Sequence, residues 1–69
     1  MINHITIMFG KNKYRCEEYF DVTSKESYVE VYEKGSSILT TIVYNLKIPD
    51  INNPELLQEF GERIEKYLI

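Results

Sequence analysis

Apolar and polar residues alternate over most of the N-terminal two thirds of the chain, with the two-residue period of a β-strand. Residues that favour turns interrupt this alternation at 10–12 (GKN) and at 34–37 (KGSS). The pattern therefore predicts four strands, over residues 2–9, 13–22, 27–34 and 37–46.

Residues 23–34 leave a second interpretation open. The letters TSKE at 23–26 fit the capping box that starts a helix, and the apolar residues at 28, 29, 31 and 32 would suit one helical face. Tyrosine and valine favour strands, however, and a turn follows directly. We therefore favour a strand over 27–34. Its two faces would carry Val29 and Val31 on one side and Tyr28, Glu30 and Tyr32 on the other.

The C-terminal segment has the signals of an amphipathic helix. Asn53 suits the N-cap, Pro54 suits the first helical position, and Glu55 complements the positive end of the helix dipole. We expect a helix of about fifteen residues. Its buried stripe is predicted to contain Leu56, Leu57, Phe60, Ile64, Tyr67 and Leu68.

Charged residues occupy the rest of this helix. Glu59 and Arg63, and likewise Glu62 and Lys66, stand four residues apart in the order that favours ion pairing. We expect these side chains to form a solvated face with two ion pairs.

The order of elements predicts one α+β domain over residues 1–69: a four-stranded antiparallel β-meander with one C-terminal helix packed on one face (ββββα). The fourth strand is apolar on both faces, which a sheet with one solvated side would not need. Its faces would carry Ile38, Thr40, Ile42, Tyr44 and Leu46 on one side and Leu39, Thr41, Val43 and Asn45 on the other. Which face the helix covers stays open.

Composition narrows the range of functions. Eleven acidic residues against eight basic ones give a net charge of −3, which argues against direct nucleic-acid binding. No apolar run approaches the ~20 residues of a membrane span, and the N-terminus lacks the features of a signal peptide. We expect a cytoplasmic protein. One cysteine and one histidine make neither an internal disulfide nor a good zinc set, so we expect no metal and no cofactor.

The stretch GKNKYRCEEYF at 10–20 holds most of the candidate chemistry. The preferred interpretation is a hairpin with a mixed-charge solvent face and a half-buried structural Cys16. The alternative is a cationic corner of Lys11, Lys13 and Arg15 that binds a phosphate or a nucleotide. Catalysis by Cys16 with His4 is less favoured, because the charges flanking the thiol cancel. We therefore expect no enzymatic activity.

Tyrosine is unusually frequent, with six in the chain, and five of these lie in or beside predicted strands. The uncovered sheet face would present some of these five strand tyrosines, which are Tyr14, Tyr19, Tyr28, Tyr32 and Tyr44. Tyrosine is enriched in protein interfaces, although it also simply suits strands. We predict a partner-binding surface and a homodimer or a tight complex with another protein. The residues assigned to this surface are Tyr19, Tyr28, Glu30, Tyr32 and Tyr44.

The chain is short, rich in Ile, Asn, Lys, Glu and Tyr, and free of catalytic motifs. In this general style it resembles small proteins of bacteriophages and mobile elements of AT-rich bacteria. That resemblance implies an inhibitor that occludes a host enzyme, such as a defence nuclease, in the cytoplasm of the bacterial host cell. Two alternatives stay open: a small-ligand or nucleotide-sequestering oligomer, and a structural component of a larger assembly.

Overall fold

The computed structural model describes residues 1–68 and contains one four-stranded antiparallel sheet followed by a single helix. Neighbouring strands in the chain are also neighbours in the sheet, so the predicted ββββα meander is confirmed. The elements are β1 (His4–Phe9), β2 (Asn12–Asp21), β3 (Glu26–Glu33), β4 (Leu39–Tyr44) and α1 (Pro54–Glu65).

The strand interpretation of the third segment is also confirmed, and the local chemistry of the preceding turn explains why. The Asp21 carboxylate accepts hydrogen bonds from the backbone N–H groups of Thr23 (2.9 Å) and Ser24 (3.3 Å). Lys25 adopts a positive φ of 59°, which a helix would not allow. The side chain of Asp21 thus caps a turn between two strands, where the sequence also suggested a helical capping box.

The fourth strand is shorter than the alternation predicts. The register between β3 and β4 shifts between Val31 and Tyr32, and Asn45 ends the strand with a φ of 56°. This left-handed residue resets the alternation, so that Leu46 lies in the buried core. The prediction that Leu46 shares a face with Tyr44 is therefore wrong. The prediction that Leu39 shares a face with Val43 is also wrong, because Leu39 pairs with Tyr32 beyond the register shift.

The helix covers one face of the sheet and encloses the core. Phe60 and Ile64 are 3% and 0% exposed, as the helical stripe predicts. Cys16 is fully buried, where the sequence predicts a half-buried side chain. The core consists of Cys16, Val29, Val31, Val43, Leu46, Phe60 and Ile64.

The buried stripe of the helix is narrower than predicted. Leu57 and Leu68 are half-buried, but Leu56 and Tyr67 are 44% and 54% exposed. Only Phe60 and Ile64 of α1 are buried, and the residues at the margins of the predicted stripe stay outside the core. The prediction that Leu56 and Tyr67 are buried is therefore wrong.

The ends of the helix follow the capping rules. The Asn53 side chain accepts a hydrogen bond from the N–H of Leu56 (3.2 Å), and Pro54 opens the helix. The helix has 12 residues, fewer than expected. Its last turn tightens, because the N–H groups of Tyr67 and Leu68 bond to carbonyls three residues back.

The two predicted helical ion pairs are absent. Arg63 instead donates from Nη1 to the backbone carbonyl of Asn45 (3.3 Å), which ties the helix to the end of β4. Within residues 1–68, the only ion pair closer than 4.0 Å joins Arg15 and Glu17. No helix in the described part of the chain has the length and apolar character needed to cross a membrane.

Candidate functional site on the open face of the sheet

The side of the sheet opposite the helix is here called the open face. Its membership follows from strand alternation, because the buried residues Cys16, Val29, Val31 and Val43 mark the covered side. Across the central strands, the open face carries Lys13, Arg15, Glu17, Tyr19 and Asp21 of β2 and Glu26, Tyr28, Glu30 and Tyr32 of β3. The outer strands add His4, Thr6 and Met8 of β1 and Leu39, Ile42 and Tyr44 of β4.

Three tyrosines form a row across the open face, here called the tyrosine row. Tyr19 pairs with Tyr28 across β2 and β3, and Tyr28 pairs with Tyr44 across β3 and β4. The ring centroids of the first pair are 5.5 Å apart and stacked, and those of the second are 5.9 Å apart and tilted. Cross-strand aromatic pairs of this kind stabilise a sheet and hold the rings in place.

Beside the tyrosine row, two carboxylates stand directly opposite each other. Glu17 and Glu30 are register partners, and two like charges in this position would by themselves repel each other. Hydrogen bonds offset this repulsion. Glu17 accepts from Arg15 Nε (2.7 Å) and from the hydroxyl of Tyr19 (2.7 Å). Glu30 accepts from the hydroxyl of Tyr32 (2.7 Å), and the Arg15 guanidinium lies 4.5 Å from the centre of the Tyr32 ring.

These hydrogen bonds shift the pKa values of the groups they join. The Tyr19 hydroxyl, together with Arg15, lowers the pKa of Glu17 below its usual value. The same bond raises the pKa of Tyr19 to about 12, and the bond to Glu30 raises the pKa of Tyr32. At neutral pH, Glu17 is therefore ionised and both phenols keep their protons.

Carboxylates also flank the other side of the tyrosine row. Asp21 and Glu26 are register partners, two residues along β2 and β3 from Tyr19 and Tyr28. The backbone N–H groups of Thr23 and Ser24 lower the pKa of Asp21, so it stays ionised. The tyrosine row thus runs between two pairs of carboxylates. On β2 and β3, the open face carries four acidic residues and two basic ones, Lys13 and Arg15. Arg15 is already paired with Glu17, so the open face is acidic overall.

All five residues assigned to partner binding from the sequence lie on the open face, so the structure brings them together. Glu17, Asp21 and Glu26 were not assigned to partner binding from the sequence. Alternation along β2 does place Glu17 and Asp21 on the face of Tyr19, but their position opposite β3 depends on a register that the sequence does not give. Tyr14 lies on the covered side and packs against Phe9, with ring centroids 6.2 Å apart.

The three cations of the suggested phosphate corner do not act as a unit. Arg15 is engaged by Glu17 and by the Tyr32 ring. Lys11 and Lys13 remain as exposed cations at the β1–β2 hairpin. Two flexible lysines on a hairpin lack the converging donors that a phosphate site uses.

The cysteine and the histidine lie on neighbouring strands but on opposite faces of the sheet. Cys16 pairs with Ile5, whereas His4 pairs with Glu17. Burial raises the pKa of the Cys16 thiol to about 12, which keeps it from forming the reactive thiolate at neutral pH. Within residues 1–68, no three of the His, Cys, Asp and Glu side chains come together in an arrangement that could hold a metal ion.

Comparison with known proteins gives no match to a family model, to a curated protein or to a solved structure. No relative therefore supplies a function by similarity. The chemistry of the open face is the basis on which a function can be inferred.

Proposed function

We propose that the protein is a non-enzymatic binding protein that docks on another protein through its open face and acts by covering part of that partner's surface. The observation that supports this most strongly is the tyrosine row between two pairs of carboxylates, on the side of the sheet that the helix leaves uncovered. Tyrosine buries a large ring while its hydroxyl keeps a polar contact, which suits the centre of an interface.

The side chains of the open face also contact one another in the absence of a partner. Stacking fixes Tyr19 against Tyr28, and hydrogen bonds to Glu17 and Glu30 fix the hydroxyls of Tyr19 and Tyr32. Side chains that are already held lose little conformational entropy when they bind. This preorganisation favours tight binding by a surface of modest size.

The charge of the open face indicates a basic partner surface. Glu17, Glu30, Asp21 and Glu26 surround the tyrosine row, and a partner's arginine could contact both a carboxylate and a tyrosine ring. Electrostatic complementarity of this kind speeds association and gives specificity. Enzymes that act on nucleic acids present such basic surfaces. We therefore propose an inhibitor, of the style found in bacteriophages and mobile elements, that occludes a host enzyme such as a defence nuclease.

A homodimer through the same face is less well supported. Two copies docked face to face would bring their carboxylates together, and like charges in an interface are costly. Self-association stays a prediction, which sedimentation at micromolar concentration tests. The nucleotide-binding and structural alternatives also stay open, although the engagement of Arg15 by Glu17 weakens the first.

Affinity capture from a lysate of the host cell tests the proposal, with the chain and two variants as bait. Tyr28→Ala removes the centre of the tyrosine row. Tyr67→Ala removes an exposed tyrosine from the far side of the molecule and serves as the matched control. We expect one protein in stoichiometric amount with wild type and with Tyr67→Ala, but not with Tyr28→Ala.

The captured protein is then assayed for loss of activity when the purified chain is added. Identical capture by all three baits, or capture without any loss of the partner's activity, would contradict the occluding role. A nucleotide that co-purifies in place of a protein would support the ligand-binding alternative.

A further inference from the structure

The first strand has an unpaired edge. β1 is the outermost strand on its side of the sheet, so alternate backbone N–H and C=O groups along it have no strand to bond with. Its sequence, HITIMF, contains none of the lysines, acidic residues or prolines that usually protect such an edge. At the other edge of the sheet, the pairing of β4 is interrupted by a register shift. The edge of β1 is the more regular of the two.

An apolar groove runs beside this edge, between β1 and α1, with a volume of about 570 Å³. Ile5, Ile7 and Phe9 contribute half-buried side chains to it, and Leu57 and Gly61 contribute from the helix. Gly61 helps to keep the groove open. A Cβ at this position would lie 3.7 Å from the Phe9 ring, which is ordinary contact, and a longer side chain would reach into the groove.

The charged residues that line the groove are both acidic. Glu62 and Glu65 lie along its helical side, and no basic residue lines it within residues 1–68. The groove therefore combines unpaired backbone groups, an apolar floor and a negative flank.

We propose that β1 and this groove bind an extended basic peptide segment of a protein partner by strand addition. The peptide backbone pairs with the free edge of β1, and apolar side chains at every second position enter the groove. A lysine or arginine of the peptide pairs with Glu62 or Glu65. This site shares no residue with the tyrosine row, although Thr6 and Met8 of β1 both line the groove and belong to the open face. The proposal does not rest on the proposed function of the tyrosine row.

A second copy of the chain is the less suitable occupant. Pairing of two β1 strands would place the two helices side by side over the joined sheet, each with its own Glu62 and Glu65 on the facing flank. Like charges at close range oppose this arrangement. A basic peptide meets the same carboxylates with the opposite charge.

Backbone amide shifts in an NMR titration test the proposal. The probe is a short peptide, acetylated and amidated, that alternates valine with threonine and carries lysine at both ends. We expect the largest shifts in β1 and along the groove-facing side of α1. A control peptide with alternate backbone nitrogens methylated keeps its side chains and charge but cannot form the ladder, and we expect no binding.

Matched variants locate the site. Glu62→Lys with Glu65→Lys should weaken binding of the peptide by about tenfold or more, because it removes two exposed ion pairs and places like charges opposite the peptide lysines. The control, Glu55→Lys with Glu59→Lys, changes helical charges that do not line the groove and should leave the affinity unchanged. Gly61→Leu should abolish binding of the peptide, because its side chain fills the groove. If Gly61→Leu unfolds the protein, Gly61→Ala takes its place and should weaken binding of the peptide, because its methyl group fills part of the groove.

Shifts confined to the tyrosine row on β2, β3 and β4, equal binding of the methylated peptide, or no binding at all would overturn the proposal. Dimerisation in the absence of peptide, abolished by Gly61→Leu, would identify a second copy as the occupant and would also overturn it.

Discussion

The two faces of this sheet are built from the same strands but stabilised by different forces. On the covered side, Cys16, Val29 and Val31 are fully buried in an apolar core that also contains two side chains of the helix, and this burial stabilises the fold. On the open face, Tyr19 is held by stacking on Tyr28 and by a hydrogen bond to Glu17. Tyr32 is held by a hydrogen bond to Glu30. Because neighbouring residues of one strand point to opposite faces, core residues and open-face residues alternate along the same strands.

Glu18 is the exception that sharpens this comparison. It lies on the covered side and is only 5% exposed. Its Oε1 accepts hydrogen bonds from the backbone N–H of Ile48 (3.0 Å) and from Asn3 Nδ2 (3.3 Å). The buried carboxylate thus ties the β4–α1 connection and the N-terminal segment to the centre of the sheet. Its polar contacts are internal, whereas those of Glu17 next to it face outward.

Truncation of the core should have the largest effect. Phe60→Ala should lower the free energy of unfolding by ~3–5 kcal/mol, since it removes a buried aromatic side chain and leaves a cavity. Leu56→Ala, at a position that is 44% exposed, is the control and should cost less than ~1 kcal/mol. Urea denaturation measures both. Equal losses would show that the helix does not pack as described.

Removal of the buried carboxylate should have an intermediate effect. Glu18→Ala leaves the N–H of Ile48 without its acceptor, at a cost of ~1–3 kcal/mol for an unsatisfied buried group. Glu18→Gln keeps an oxygen acceptor in the same place and should cost less. Urea denaturation measures the loss of stability in both variants. Equal stability of Glu18→Ala and wild type would refute the role assigned to this residue.

The hydrogen bond between Tyr19 and Glu17 should contribute least to stability, and its effect depends on pH. Because folding lowers the pKa of Glu17, its contribution is present above the usual carboxylate range and is lost as the pH falls through the folded-state value. Because folding raises the pKa of Tyr19 to about 12, its contribution is lost as the pH rises through that value. Between these two pH limits, we expect the hydrogen bond to contribute less than about 1 kcal/mol to the free energy of unfolding.

Tyrosinate absorbance during an alkaline titration measures this bond directly. Glu17→Gln should bring the pKa of Tyr19 down from about 12 toward the usual value of tyrosine. The pKa of Tyr32, which bonds to Glu30, should stay raised and serves as the internal control. A titration curve that Glu17→Gln leaves unchanged would contradict the assigned hydrogen bond.

The fold could largely be predicted from the sequence, because its signals are local. Alternation in the second and third strands gave the correct faces, and Asn53 with Pro54 gave the correct start of the helix. The alternation failed at Leu46, because the left-handed Asn45 reverses the face of the residue that follows. A single backbone angle of this kind leaves no trace in a pattern of apolar and polar residues.

The arrangement on the open face could be predicted only in part. The tyrosines were identified, but the opposition of Glu17 to Glu30 and of Asp21 to Glu26 depends on strand register. Register depends on the turn that joins β2 to β3, where the carboxylate of Asp21 bonds to the backbone. The groove beside β1 also escaped prediction, because it requires the position of the helix over the sheet.

The most direct test of the central claim, that the open face binds a protein partner, is the affinity of two matched tyrosine variants for the captured partner. Tyr44 and Tyr67 are 57% and 54% exposed, but only Tyr44 belongs to the tyrosine row. Isothermal titration should show that Tyr44→Ala, at the end of the row, weakens binding measurably, and that Tyr28→Ala, at its centre, weakens it by ~2 kcal/mol or more. Tyr67→Ala should bind like wild type. Unchanged affinity in Tyr28→Ala and Tyr44→Ala, or an equal loss in Tyr67→Ala, would contradict the account.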